Sequence, residues 1–140
     1  MNNNDLFKKV KDLKLPTGKY ALFGSAPLGI RGLRDCRDID IVVTQDLWDE
    51  YMDKGWEMKT MTHGGQYLLN GDIELWKDWK PGEWDIEELI AEAEMIDGLS
   101  FVRLEKVLEG KKLSGREKDF EDIKKIKKFL RGTGVDNKTQ

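Results

Sequence analysis

Two aspartates, Asp38 and Asp40, have a spacing that suits a metal-binding pair. They alternate with apolar residues in the stretch 38–43, and this alternation predicts a strand with both carboxylates on one face, their Cα atoms roughly 7 Å apart. Like charges on one sheet face repel each other, and divalent cations bound between them remove that cost. The pair is therefore a candidate site for two divalent cations. A solvated pair at the end of a strand explains the spacing equally well.

Glu74 is a candidate third carboxylate. It lies between Ile73 and Leu75 in a further apolar stretch, residues 72–76. If this strand lies beside the strand at 38–43, Glu74 joins the two aspartates in one cluster. Taken alone, Glu74 is more simply explained as an outward-facing residue of an amphipathic strand.

The pair Gly24-Ser25 is a candidate phosphate-binding turn. It follows the apolar stretch 20–23, and backbone N–H groups in such a turn can bind phosphate. Neither a P-loop nor a dinucleotide-binding glycine motif is present. Twelve residues separate the turn from Asp38-Ile39-Asp40, and this glycine-rich interval carries three arginines: Arg31, Arg34 and Arg37.

Hydrophobic periodicity and turn residues predict the elements that position these side chains. Thr44 and Asp85 are predicted helix N-caps, as is Ser114, which forms a capping box with Glu117. The predicted strands cover 20–23, 38–43, 56–62, 66–69 and 72–76, with an ambiguous extended stretch at 96–102, and the predicted helices cover 5–13, 45–54, 86–94, 103–110 and 115–131. The pattern predicts an α+β fold, in which a small mixed sheet is flanked by helices.

The last predicted helix has an apolar stripe and many cations. The stripe is expected to be buried and comprises Phe120, Ile123, Ile126, Phe129 and Leu130. The cations form a surface that could bind triphosphate or RNA, although a solvated helix face is the commoner explanation. They are Lys118, Lys124, Lys125, Lys127, Lys128 and Arg131.

Composition limits the classes of function. The 140 residues suffice for one domain, predicted over 1–131, with a flexible tail at 132–140. A net charge of −3 gives no global attraction to nucleic acid, so any basic surface must be local. Cys36 is the only cysteine, which excludes an internal disulfide and a cysteine-based zinc site. No stretch is typical of a membrane helix or signal peptide, so a cytoplasmic location is expected.

These motifs together resemble the nucleotidyltransferase superfamily related to DNA polymerase beta. The similarity is to its minimal and abortive-infection-type members, and it covers roughly residues 18–76, with 101–130 similar to their C-terminal helices. It consists of Gly24-Ser25, the interval of a dozen residues, the Asp38-Ile39-Asp40 strand and the later strand around Glu74. Two positions depart from the pattern: residues 27–29 lack the arginine that many minimal members carry, and Glu74 stands where the third acid is often aspartate.

The resemblance implies a nucleotidyltransferase fold and a reaction. Asp38, Asp40 and Glu74 would hold two Mg²⁺ ions, and Glu74 would help to deprotonate the attacking hydroxyl. The nucleoside triphosphate would be bound by Gly24 and Ser25, with Arg31 and Lys118 as further candidates. A nucleoside monophosphate would pass to a hydroxyl of RNA, protein or a small molecule, with release of pyrophosphate. The short chain suggests a homodimer or a partner subunit, as in toxin–antitoxin pairs.

Other interpretations remain open at the level of sequence. The same fold could serve as a non-catalytic module that binds nucleotide or a partner, such as a toxin–antitoxin component, or the motif could be coincidental in a structural protein. His63 could contact substrate or be a polar turn residue. Three tryptophans could stack a base or form the edge of the core: Trp76, Trp79 and Trp84.

Overall fold

The computed structural model describes residues 2–62 and 64–132. The predicted α+β class is confirmed, because seven strands form one mixed sheet that helices flank. The strands are β1 (Tyr20–Phe23), β2 (Ile39–Val43), β3 (Glu57–Thr60), β4 (Gln66–Asn70), β5 (Ile73–Trp76), β6 (Glu94–Ile96) and β7 (Leu99–Phe101). The helices are α1 (Asn3–Leu13), α2 (Ala26–Gly29), α3 (Gln45–Asp53), α4 (Ile86–Ala91), α5 (Leu104–Ser114) and α6 (Glu117–Gly132).

Strand β2 lies at the centre of the sheet, whose order is β3-β4-β5-β2-β1-β7-β6. It pairs in parallel with β5 and antiparallel with β1. The condition set by the sequence is therefore met, because the strand that carries Glu74 lies beside the strand that carries Asp40. The two residues are direct neighbours in the register, and Phe23 faces Asp40 from the other side.

The alternation of β2 divides its side chains between two apolar cores. Ile39, Ile41 and Val43 belong to the core formed with α1 and α3. Val42 belongs to the second core, formed with α4, α5 and α6. Because side chains alternate along a strand, Asp40 lies on the same face as Val42, where these three helices pack. The candidate carboxylates are thus on the face covered by the C-terminal half of the chain.

Several helix and strand boundaries differ from the sequence expectation. Helix α1 begins at Asn3, because the side chain of Asn2 accepts a hydrogen bond from the Asp5 N–H at 2.9 Å. Helix α4 ends at Ala91, short of the predicted 94, and β6 begins at Glu94. It forms a hairpin with β7, which lies in the ambiguous stretch, and the Asp97-Gly98 turn has positive φ at both residues. Asp85 caps α4 as predicted, accepting from the Glu88 N–H at 3.1 Å.

Two predictions for the last helices are wrong. Ser114 is the final residue of α5 and does not form a capping box for α6; Gly115 ends α5 in the left-handed conformation. Phe120 is 52% exposed, whereas Asp119, Asp122 and Ile126 are buried in α6. The buried face is shifted because both aspartates have ion-pair partners inside the protein, which makes their burial acceptable.

Asn3 connects the start of the chain to the interval between Ser25 and Asp38. Its side-chain amide donates to the Arg34 carbonyl at 2.9 Å and accepts from the Cys36 N–H at 2.8 Å. The interval therefore has a fixed path and includes α2, which the sequence did not predict. Gly132 completes α6, and the rest of the predicted tail, 133–140, lies outside the described residues.

None of the helices within residues 2–62 and 64–132 has the length and apolar character needed to span a bilayer.

The register of α6 is tested by Ile126→Ala and Phe120→Ala. Ile126 is fully buried, so its truncation is expected to lower the free energy of unfolding by about 2–4 kcal/mol. The exposed Phe120 is the matched control, and its truncation should change stability by less than about 1 kcal/mol. Urea denaturation measures both values, and a larger loss for Phe120→Ala would contradict this register.

Candidate functional site

The candidate site is a cluster of three carboxylates. Asp38 precedes β2, Asp40 lies within it, and Glu74 lies in β5. One carboxylate oxygen from each residue lies within 4.8 Å of the others. The in-register parallel pairing of β2 with β5 produces this proximity, since it sets Glu74 directly beside Asp40. The structure thus brings together all three acids that the sequence singled out.

Gly24 follows β1 at the point where the chain passes Asp40. Its φ of +61° is in the left-handed region, and a Cβ atom there would overlap the Oδ2 atom of Asp40. Glycine is therefore required both by the backbone conformation and by the approach of the aspartate. The turn at Gly24-Ser25 and the acidic cluster form one continuous structure.

The carboxylates lack compensating protein cations. Within residues 2–62 and 64–132, no lysine or arginine forms an ion pair with Asp38, Asp40 or Glu74. Burial raises the pKa of Asp40 well above its usual value, and the neighbouring Glu74 and Asp38 raise it further. The indole N–H of Trp76 donates to Asp40 Oδ1 at 3.4 Å, and this hydrogen bond lowers the pKa of Asp40. Burial also raises the pKa of Glu74.

The donor set fits a hard divalent cation. Three carboxylates offer only oxygen ligands, which Mg²⁺, Mn²⁺ and Ca²⁺ prefer over the nitrogen and sulfur ligands typical of zinc. The closeness of three acids that have no ion-pair partner among the described residues gives a bound cation an electrostatic advantage. Asp38, Asp40 and Glu74 are thus the residues that could hold metal.

A cleft of about 450 Å³ opens beside the cluster, within the size range of small-molecule sites. Gly24, Ser25, Asp38 and Asp40 line it on the side of the sheet. Cationic side chains from the interval before β2, the loop after β5 and the last two helices also line it: Arg34, Arg37, Lys80, Lys111, Arg116 and Lys118. The cleft thus carries negative charge at the cluster and positive charge on its other walls, as binding of an anionic ligand together with metal requires.

An ion-pair network that sequence reasoning missed forms part of the positive wall. Lys111 lies 3.0 Å from Asp122 and 3.4 Å from Asp119, and both aspartates are buried. Arg34 contacts Asp122 at 2.6 Å, which ties the interval before β2 to α6. Burial opposes ionisation of Asp119, but hydrogen bonds from Arg116 and Ser114 outweigh it and lower the pKa of Asp119. The only sequence signal was Asp119 and Asp122 at i, i+3 in a basic helix.

The candidate phosphate-binding residues divide into two groups. Ser25 and Lys118 line the cleft, as do Arg34 and Arg37. Arg31 does not: its guanidinium pairs with Glu94, donates to the Pro27 carbonyl at 2.7 Å and lies over the ring of Phe129. The structure therefore places Arg31 in packing between elements, outside the cleft. His63 lies outside the described residues.

The tryptophans form an aromatic cluster at the edge of the cleft. Trp79 stacks on Phe23 with ring centroids 4.6 Å apart, and Trp76 stacks on Tyr67 at 4.7 Å. Trp84 contacts the edge of Phe23. Trp76 and Trp79 also line the cleft, so they pack against the core and border the candidate binding site at once.

Comparison of the chain with protein-family models, with curated proteins and with solved structures gives no match in any of the three.

Replacing Asp40 by asparagine is expected to stabilise the metal-free protein at neutral pH. Because the pKa of Asp40 is raised on folding, its contribution to stability is complete below about pH 3.8 and is lost as pH rises through the folded pKa. Asp40→Asn removes this loss and should increase the free energy of unfolding by about 1 kcal/mol, or a few degrees in Tm.

Thermal unfolding in EDTA between pH 4 and pH 8 measures this difference. Asp72, two residues before Glu74, is partly exposed and pairs with Lys9. It provides the control Asp72→Asn, which should not reproduce the effect. Added Mg²⁺ should stabilise the wild type and not Asp40→Asn. A metal-free variant less stable than the wild type at pH 7.5 would contradict the electrostatic account.

Proposed function

We propose that this protein is a Mg²⁺-dependent nucleotidyltransferase that moves a nucleoside monophosphate from a nucleoside triphosphate to an acceptor hydroxyl. The observation that carries the proposal is the cluster of Asp38, Asp40 and Glu74, whose carboxylates lie close together and have no ion-pair partner in the described part of the chain. Its connection to the Gly24-Ser25 turn and to a cationic cleft adds the other component that a metal–triphosphate complex needs. A cytoplasmic location belongs to the same proposal.

Asp38, Asp40 and Glu74 are assigned the role of metal ligands. Bound Mg²⁺ supplies electrostatic stabilisation of the attacking and leaving oxygens during in-line displacement. Glu74 is assigned a second role, which is to help deprotonate the attacking hydroxyl group. It is half-buried and lies directly beside Asp40, which lines the cleft, so a hydroxyl group bound at Asp40 would lie next to Glu74.

The transfer itself is a displacement at the α-phosphorus. The acceptor oxygen forms a bond to this phosphorus, and the bond from phosphorus to the oxygen bridging to the β-phosphate breaks. The hydroxyl proton passes to Glu74, and the electron pair of the broken bond leaves with pyrophosphate. Positive side chains of the cleft hold the negative charge that develops on the leaving group, and Arg116 and Lys118 are the exposed ones in α6 and before it.

Two ion pairs fix the wall that meets the phosphates. Lys111 and Arg34 are held by buried aspartates of α6, so their positions are set before a ligand arrives. Lys118 has no ion-pair partner among the described residues and is free to contact the triphosphate. Fixed cations beside the exposed Lys118 combine a preformed site with adjustment to the bound substrate.

The reaction is tested with nucleoside triphosphates labelled at the α-phosphate, incubated with Mg²⁺ and with total RNA, a protein extract or small-molecule hydroxyl compounds. Asp38→Ala should reduce label transfer by at least about a hundredfold, because a metal ligand is lost. Asp72→Asn removes a nearby, partly exposed carboxylate and should retain transfer. Transfer that survives in Asp38→Ala would sink the mechanism.

The phosphate contacts are tested separately by Lys118→Gln. Loss of this charge should raise the KM for the triphosphate roughly tenfold, the effect of one charge-assisted hydrogen bond. Lys112→Gln is the matched control, since Lys112 is exposed on α5 and does not line the cleft. Equal KM values for the two variants would show that Lys118 does not contact the triphosphate.

The alternative function is that of a non-catalytic module, in which the same cleft would bind a nucleotide without transfer. The position of Glu74 favours catalysis, because simple binding does not need a third acid directly beside Asp40. The labelling experiment separates the two: a module would show Mg²⁺-dependent triphosphate binding without transfer to any acceptor. A homodimer or a partner subunit, as in toxin–antitoxin pairs, belongs to the same proposal.

A further inference from the structure

The second half of α6 concentrates positive charge. Residues 123–132 contain five basic residues and no acidic one, in a chain whose net charge is −3. These residues are exposed, and the one salt bridge they form within the described part of the chain joins Lys124 to Glu121 at 3.5 Å, between two highly exposed side chains. They are Lys124, Lys125, Lys127, Lys128 and Arg131.

A second groove, of about 540 Å³, leads from this surface to the candidate active site. It lies between α6 and the interval before β2, and Lys118 and Lys125 line it from α6. Arg34, Lys118 and Asp122 line both this groove and the cleft that holds the acidic cluster. The two cavities are therefore adjacent, with the cations Arg34 and Lys118 at their boundary.

We propose that the acceptor of the transfer reaction is single-stranded RNA, which binds along the second groove and the exposed face of α6 and presents its terminal hydroxyl to Asp38, Asp40 and Glu74. This inference rests on the proposed function. It assigns the five cations and the second groove to the acceptor, whose terminal nucleotide enters the cleft beside Trp76 and Trp79, and it leaves the cationic wall of the cleft to the phosphates of the nucleoside triphosphate.

Spacing along α6 supports a polyanion as the ligand. Lys118 and Lys125 are seven residues apart, which places them on one helix face two turns apart, and Lys128 follows one turn later. From Lys118 to Lys128 the helix rises about 15 Å, enough to follow two or three phosphates of a single strand. A small uncharged acceptor would have no use for this extended positive surface.

RNA fits better than an acidic protein because of what borders the cleft. The rings of Trp76 and Trp79 line the cleft, where they can contact a base that leaves the stack at the end of a strand. An acidic protein has no bases that could contact these rings. The hydroxyl of a terminal ribose brings no additional charge to the cluster.

The surface is tested with the double variant Lys125→Gln/Lys128→Gln. The matched control is Lys8→Gln/Lys14→Gln, which removes two exposed lysines from the region of α1, on the opposite face of the sheet. Fluorescence anisotropy of a labelled single-stranded RNA oligonucleotide, titrated with salt, measures binding without any need for catalysis. Label transfer to the same oligonucleotide from α-labelled triphosphates measures its use as acceptor.

The α6 variant should bind RNA on the order of tenfold more weakly at low salt, and the slope of log K against log salt should fall by about 1.4 for two lost contacts. Label transfer to RNA should fall in parallel, while the KM for the triphosphate stays constant. The α1 variant should match the wild type in all three measurements.

Three outcomes are decisive. Equal RNA binding by the two double variants would overturn the proposal that RNA is the acceptor. Transfer that labels acidic proteins or small molecules and leaves RNA unlabelled would do the same. Both results are compatible with the proposed nucleotidyltransferase activity. RNA binding that depends on Lys125 and Lys128 without transfer to any acceptor would overturn the proposed function and retain the RNA-binding surface.

Discussion

The site depends on one strand pairing, the in-register parallel alignment of β2 with β5. It sets Asp40 beside Glu74, and a shift of one residue would turn Glu74 to the opposite face. The pairing brings two carboxylates together against their repulsion, so other interactions must maintain it. The fully buried Ile39, Ile41 and Leu75 of the same strands supply them, since each is worth roughly 2 kcal/mol in the core.

The flanking elements follow from this central alignment. Strand β1 brings Gly24 to Asp40 from the other side, and the last two helices cover the same face of the sheet. The buried aspartates of α6 then hold Lys111 and Arg34 at the cleft. Negative charge on the central strands and positive charge on the covering helices thus face the same volume.

The sequence allowed the strands and their acids to be predicted, because alternation is a local property that survives in the fold. Asp38, Asp40 and Glu74 could be found since each interrupts an apolar strand, and the turn at Gly24-Ser25 could be found from the strand before it. The adjacency of β2 and β5 could be stated only as a condition, because 29 residues of chain lie between them and pairing over that distance is decided by the whole core.

The buried face of the last helix could not be predicted from the sequence, for a different physical reason. Phe120 was assigned to the buried stripe because aromatic residues favour burial. In the structure Asp119 and Asp122 are buried instead, because they form ion pairs with Lys111 of α5 and Arg34 of the interval before β2. The side chain of Arg31 likewise pairs with Glu94 and does not line the cleft, contrary to its predicted role in phosphate binding. Ion pairs between distant residues have no periodicity, so the pattern of one sequence does not reveal them.

The contacts of Asn3 set a limit on how this protein can change. The interval between the Gly24-Ser25 turn and β2 has candidate site residues at both ends, and its second half is attached to α1 through the hydrogen bonds of Asn3 with Arg34 and Cys36. Most surface loops accept insertions at little cost, because their closure entropy grows slowly with length. Here each added residue would have to break the attachment or displace an acid, so the dozen-residue spacing is a geometric requirement, and laboratory grafts of new binding loops belong elsewhere on the molecule.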